Sequence, residues 1–207
     1  MKNIFLIRHG PVAKEYKEVF YGQLDVPLSP EGEELSQRFV KEFSSLEINA
    51  IFSSPAQRAL YPAQLLAKEK KLPLIVKEEL KEINYGAWTG RLRVEVMREP
   101  LYWERLKKDY LAPPGGESIR ALRERAKTFL EALKQEPSGN FAIFSHGGFI
   151  RAFLCEILNL NSNFFFAFDI YHLKIQFITL FEDNFFVVKG LNCQASQVKS
   201  LLDTSYW

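Results

Sequence analysis

The sequence predicts an α/β fold, a three-layer sandwich with a mainly parallel central sheet and helices on both faces. Three observations carry that prediction. Short continuous apolar runs at residues 4–7, 50–52 and 141–144 have the pattern of strands covered on both faces. Helix-like segments separate them, at 30–46, 55–71 and 117–134. Each apolar run leads directly into a polar turn.

The first run, Ile-Phe-Leu-Ile, ends on Arg8 and His9. The helix over 30–46 is introduced by Ser29 as cap, with Pro30 at the first helical position. The run at 50–52 ends on Ser53 and Ser54, with Arg58 a helical turn farther on in the segment 55–71. Residues 89–111 form an insertion over the sheet, part of a lid-like region 89–116 that closes with Ala112, Pro113, Pro114, Gly115 and Gly116. After the helix at 117–134 comes the run at 141–144, followed by Ser145, His146, Gly147 and Gly148. The aromatic stretch that begins at Phe164 contains a β-hairpin, 175–181 and 185–188, joined through Glu182, Asp183 and Asn184. From Ser196 on the chain reads as a weakly specified tail. With 207 residues, 47% of them apolar, one domain spanning 1–207 is expected.

Charge and composition exclude several classes. The 27 basic and 25 acidic residues leave a net charge of +2, too balanced to announce a nucleic-acid or membrane partner. No apolar run reaches membrane-spanning length, and residues 4–7 fall short of a signal-peptide core, so a soluble cytoplasmic protein is the default expectation. Cys155 and Cys193 lack metal or redox spacing and read as ordinary thiols. The stretch from 164 to 188 carries more aromatics than one sheet face buries, which points to a homodimer.

In open α/β sheets ligands bind beyond the carboxyl ends of the strands. Arg8 and His9 occupy such a position, as do Ser53 and Ser54, and Ser145 to Gly148, where the glycines permit a tight turn and a helix start can hold an anion. Two of the three histidines therefore sit at equivalent strand ends, and His172, the third, reads as structural. Any one of these features alone is ordinary: a histidine after a strand is more often a cap, Arg58 alone a solvated helix residue, Glu82 alone a surface carboxylate. Together, two imidazoles and two guanidiniums at one sheet edge are unfavourable unless an anion occupies it, and arginine's paired donors suit a phosphoryl group.

These residues resemble the histidine phosphatase superfamily, the phosphoglycerate mutase-like fold. The resemblance lies in LIRHG at 6–10, GQLDVPLSPEG at 22–32, SSPAQRA at 53–59, LKEINYGAWTG at 80–90 and FSHGG at 144–148. It implies His9 as the nucleophile, Arg8, Arg58 and His146 as an electrostatic clamp and Glu82 as proton donor. Gln23, Tyr85 and Gly147, within the same motifs, are implied in substrate binding with Arg8, Arg58 and His146. It implies no metal and no cofactor, because cationic side chains do the work of a divalent ion. The family's mutases and many of its phosphatases follow Arg-His-Gly with Glu, then Ser or Thr, and an Asn a few residues later, whereas Pro11, Val12 and Glu15 stand here, and Glu15 is expected to face solvent or sit in a reshaped loop.

The compact chain favours hydrolysis of a small phosphorylated metabolite over phosphate return to a mutase product. The proline after Arg-His-Gly and the run at 20–28 resemble the α-ribazole phosphatases, making α-ribazole 5′-phosphate a candidate substrate. Phosphoserine and sugar phosphates, a cofactor-dependent phosphoglycerate mutase and a non-catalytic binding module on the same fold are the alternatives. Trp88, Tyr102, Trp103 and Tyr110 would either stack on a flat base or simply pack the insertion.

Overall fold

The computed structural model describes residues 1–183 and 185–202. Six strands form one sheet: β1 (Lys2–Arg8), β2 (Ala50–Ser53), β3 (Leu74–Val76), β4 (Gly139–Ser145), β5 (Ile175–Leu180) and β6 (Phe186–Cys193). Their order is β3-β2-β4-β1-β5-β6. The first four are mutually parallel, with Ile4 opposite Phe141 and Ala50 opposite the same residue, while β5 runs antiparallel to β1 and β6 antiparallel to β5.

Helices cover both faces. Alternate residues of the central strands divide between two cores, as strand geometry requires. Ile4, Leu6, Phe141 and Ile143 pack against α5 (Ile119–Gln135) and α6 (Gly147–Ile157). Phe5, Ile7, Ala142 and Phe144 pack against α1 (Pro30–Phe43), α2 (Gln57–Lys70) and α7 (Ala195–Leu202). The expected cap on α1 is present: Ser29 Oγ accepts from Gly32 N at 3.0 Å. The first turn of this helix lies against the chain just after Arg8-His9-Gly10, and a Cβ on Gly32 would sit 2.1 Å from Pro11 O.

Several expectations need correction. Where a weakly specified tail was expected, Ala195–Leu202 is helical, because Ala195 and Val198 are buried against the α1 and α2 side of the sheet; the rest of that tail lies outside the described residues. Strand β3 was not foreseen; it is three residues long and only half covered, too short for a periodic signal. The second hairpin strand extends to Cys193, and α1 ends at Phe43 rather than at 46. Of the expected hairpin turn, Asn184 lies outside the described residues. The insertion contains α3 (Arg93–Val96) and α4 (Pro100–Lys107) and is stitched to the 18–20 segment, with Gly90 N donating to Phe20 O at 2.8 Å and Arg93 N to Glu18 O at 2.8 Å. Among the described residues no helix is long and apolar enough to cross a membrane, and Cys155 and Cys193 are buried free thiols.

Candidate active site

The ends of β1, β2 and β4 bring the expected residues together. His9 is 1 % exposed, and its ring centroid lies 5.2 Å from that of His146. His9 Nδ1 lies 2.7 Å from Gly10 O; a carbonyl only accepts, so Nδ1 carries the proton and Nε2 keeps its lone pair. Burial first, then the neighbouring His146 and Arg58, hold the His9 pKa well below the ordinary imidazole range. The ring is therefore neutral at neutral pH.

His146 caps the start of α6 and is fully buried. Its Nε2 lies 2.8 Å from Ser54 Oγ, which also accepts from Ala56 N. The serine hydroxyl hydrogen is free to point at Nε2, and that arrangement leaves the His146 proton on Nδ1. Burial, followed by Arg58, Arg125 and Arg8, lowers this imidazole's pKa as well.

The two arginines are aimed by backbone carbonyls. Arg58, wholly buried, donates from Nη1 to Leu24 O at 2.9 Å and from Nη2 to Gly22 O at 2.6 Å. Arg8 donates from Nη1 to Ile170 O at 2.6 Å. In each case Nε is buried without a partner, as is His146 Nδ1. Buried polar atoms without partners are rare in native proteins. Three at one strand-end cluster mark a place where a multivalent acceptor belongs.

Glu82 stands between two adjoining cavities of about 450 and 200 Å³, both of which it lines. Ile83 N donates to its Oε1 at 2.9 Å and Gly148 N to its Oε2 at 3.1 Å. A Cβ on Gly148 would fall 2.2 Å from Oε1, so that position admits only glycine while the carboxyl stays where it is. The loop carrying Glu82 is clamped from below by Arg125 of α5. Its Nη1 donates to Glu79 O and Lys81 O at 2.7 and 2.6 Å, and Nη2 donates to Glu117 Oε2 at 2.8 Å.

Of the residues implied in binding, Tyr85 and Gly147 line the larger cavity. Gln23 lines the smaller one and donates to Glu82 O at 2.9 Å, which ties it to the carboxyl-bearing segment. Pro11 and Val12 are part of the framework, with Ser29 N donating to Pro11 O and Val12 bridged to Leu28. Glu15 is exposed, as expected. The aromatics of the insertion divide: Trp88 is buried with Phe20 and Val96, Tyr102 lines the larger cavity, and Trp103 and Tyr110 are half exposed.

Sequence reasoning read His172 as structural and gave it no place beside the reactive histidine. Its Nδ1–H donates to His9 O at 2.6 Å and its ring centroid lies 5.3 Å from that of His9, while Leu173 N donates to Arg8 O at 2.9 Å. Burial, and then Arg8, bring its pKa down to about 4. It is a scaffold residue, but one that holds the main chain of the reactive histidine.

Known proteins fit this geometry. A profile of the histidine phosphatase superfamily (branch 1) matches residues 4–194. Phosphoserine phosphatase 1 of Hydrogenobacter thermophilus is 31% identical over 176 residues, which cover 81% of this chain and 82% of that protein. The adenosylcobalamin/alpha-ribazole phosphatase of Escherichia coli is 23% identical over 166 residues, 76% of this chain and 79% of that protein. Among solved structures, the alpha-ribazole phosphatase of Shigella flexneri superposes with a TM-score of 0.83 at 22% identity, over 93% of this chain and 96% of that one.

Proposed function

The chain belongs to the histidine phosphatase superfamily and is a phosphoric monoester hydrolase, and from that premise we propose that it works without a metal, through a phosphohistidine on His9. The observation that carries this reading is the set of partnerless buried nitrogens, Arg8 Nε, Arg58 Nε and His146 Nδ1, gathered around an imidazole whose Nε2 is left free. We place the phosphoryl group at the seam between the two cavities, where Arg8 borders one, Arg58 and His146 the other, and Glu82 both.

His9 Nε2 attacks phosphorus in line, forming the N–P bond as the ester P–O bond breaks. The cationic groups stabilise charge on the three equatorial oxygens. Glu82, in its acid form, gives its proton to the departing alkoxide. The resulting carboxylate then takes a proton from the water that attacks phosphorus, the N–P bond breaks, and His9 returns to its neutral state.

For the leaving group the broad reading is a small phosphorylated metabolite. A second, narrower reading is α-ribazole 5′-phosphate, favoured by the aromatic lining of Phe20, Tyr85 and Tyr102, which suits a flat base. The test is steady-state phosphate release from α-ribazole 5′-phosphate, phosphoserine, 3-phosphoglycerate and sugar phosphates. His9→Ala should lower release by roughly 10⁴-fold or more. Interconversion of 2- and 3-phosphoglycerate with little release of phosphate would identify a mutase, and no turnover of any ester would leave only a binding module.

A further inference from the structure

The phosphoryl chemistry leaves one buried cation unused. Arg105, on α4, is 2 % exposed and lines the larger cavity. Its Nε is buried without a partner, and among the described residues no carboxylate lies within ion-pair distance of it and no protein acceptor takes a hydrogen bond from its guanidinium. The faces of Trp88 and Tyr85 lie 5.5 and 5.7 Å away. They pack the guanidinium without neutralising it. The other buried or half-buried arginines, Arg8, Arg58, Arg91, Arg123, Arg125 and Arg151, each donate to a carbonyl or carboxylate.

A desolvated charge without a counter-ion is unfavourable unless something else supplies one. The cavity itself is weighted toward cations: Arg8, Arg93, Arg105 and Arg151 line it, against Glu82 and Asp169. Both acids are already engaged, Glu82 by backbone N–H groups and Asp169 by Arg151 at 4.0 Å. We propose that Arg105 anchors a second anion subsite at the leaving-group end of the cavity, and that the substrate is a phosphomonoester whose leaving group carries a further carboxylate or phosphate. This deepens the phosphatase reading above and rests on it. It also disfavours α-ribazole 5′-phosphate, whose leaving group is neutral.

Matched esters test the subsite. Glycerol 3-phosphate and 3-phosphoglycerate differ only in a hydroxymethyl against a carboxylate; fructose 6-phosphate and fructose 1,6-bisphosphate differ by a second phosphate. The wild type should prefer the anionic member of at least one pair, and the responding pair tells carboxylate from phosphate. Arg105→Gln should lower kcat/KM for that member by about 10- to 100-fold, the worth of a charge-assisted hydrogen bond, and leave its neutral counterpart within about threefold. Arg105→Lys, which keeps the charge, should recover part of the preference. Equal losses on both members of a pair would overturn the proposal. So would a wild type that favours the neutral members and α-ribazole 5′-phosphate, a result that needs no variant to fold. Failure to hydrolyse any ester would bring down the phosphatase reading itself, an outcome distinct from activity without anion preference.

Discussion

The two ends of the cleft are built differently. At the phosphate end, His9, Ser54 and His146 follow three adjacent parallel strands, so the hydrogen-bond ladder of the sheet sets their spacing. Arg8, Arg58 and Glu82 are then aimed by backbone groups. At the other end, Phe20, Trp88 and Val96 make a small satellite core of their own, and Val94, Met97 and Trp103 remain exposed beside it. The first construction has little room to adjust, whereas the second is a smaller cluster, separate from the two cores that flank the sheet. Reacting groups need fixed geometry, and leaving-group selection tolerates an adaptable wall.

That contrast has a measurable form. Substitutions at the phosphate end should lower turnover whatever charge the leaving group bears, while substitutions in the wall should change the ratio between substrates. After the loss of the nucleophile in His9→Ala, the largest effect belongs to Glu82→Gln, expected to lower kcat by roughly 10²- to 10⁴-fold on alkyl esters, the usual worth of a general acid. An aryl ester such as p-nitrophenyl phosphate, whose leaving group needs no proton, should lose much less in the first step, visible in single-turnover release of the phenolate. Equal single-turnover losses on both would mean that Glu82 is not the acid.

Gly148→Ala comes next and tests whether Glu82 works by position. The added methyl meets Oε1 at 2.2 Å, so either the carboxyl or the start of α6 must move. A displacement of that size should cost about 10²-fold in kcat, uniformly across substrates, with the fold retained by circular dichroism. A variant with unchanged kcat would show that the carboxyl relocates without penalty.

Much of the phosphate end was legible in the sequence because each parallel strand is a short apolar run that stops abruptly at polar residues. Arg8-His9 and Ser145-His146 stand out for that reason. The same rule concealed His172. β5 runs antiparallel to β1, so its beginning, not its end, lies at the reactive edge, and Ile175 pairs with Ile7. A search of strand ends never reaches the segment that leads into such a strand, where His172 lies. The wall was hidden for a different reason. Arg105 and Trp88 are interleaved with exposed residues on short helices and turns, and only tertiary packing distinguishes the buried ones. Likewise α7 has a modest apolar face that is helical because Val198 and Ala195 are covered, which no local signal announces.

The smallest expected effect concerns His172, which supports the phosphate end without touching it. Asparagine can replace the Nδ1–H donor to His9 O, so His172→Asn should lower kcat by no more than about tenfold with KM unchanged, and His172→Ala by more, since the carbonyl then loses its partner. Its titration adds a readout that packing alone would not move. The folded-state pKa of about 4 lies below the ordinary 6.5, so below pH 6.5 the unfolded chain binds a proton that the native state refuses. Stability is therefore fully present above 6.5 and declines as the pH falls toward 4, by about 3 kcal/mol for this group, with His9 and His146 acting in the same direction. Urea unfolding between pH 7 and 5 should show a slope of stability against pH that falls in His172→Asn, by little near pH 7 and by close to one proton near pH 5. An unchanged slope would mean that native His172 takes up a proton as readily as it does in the unfolded chain, and that burial beside Arg8 does not hold the ring neutral.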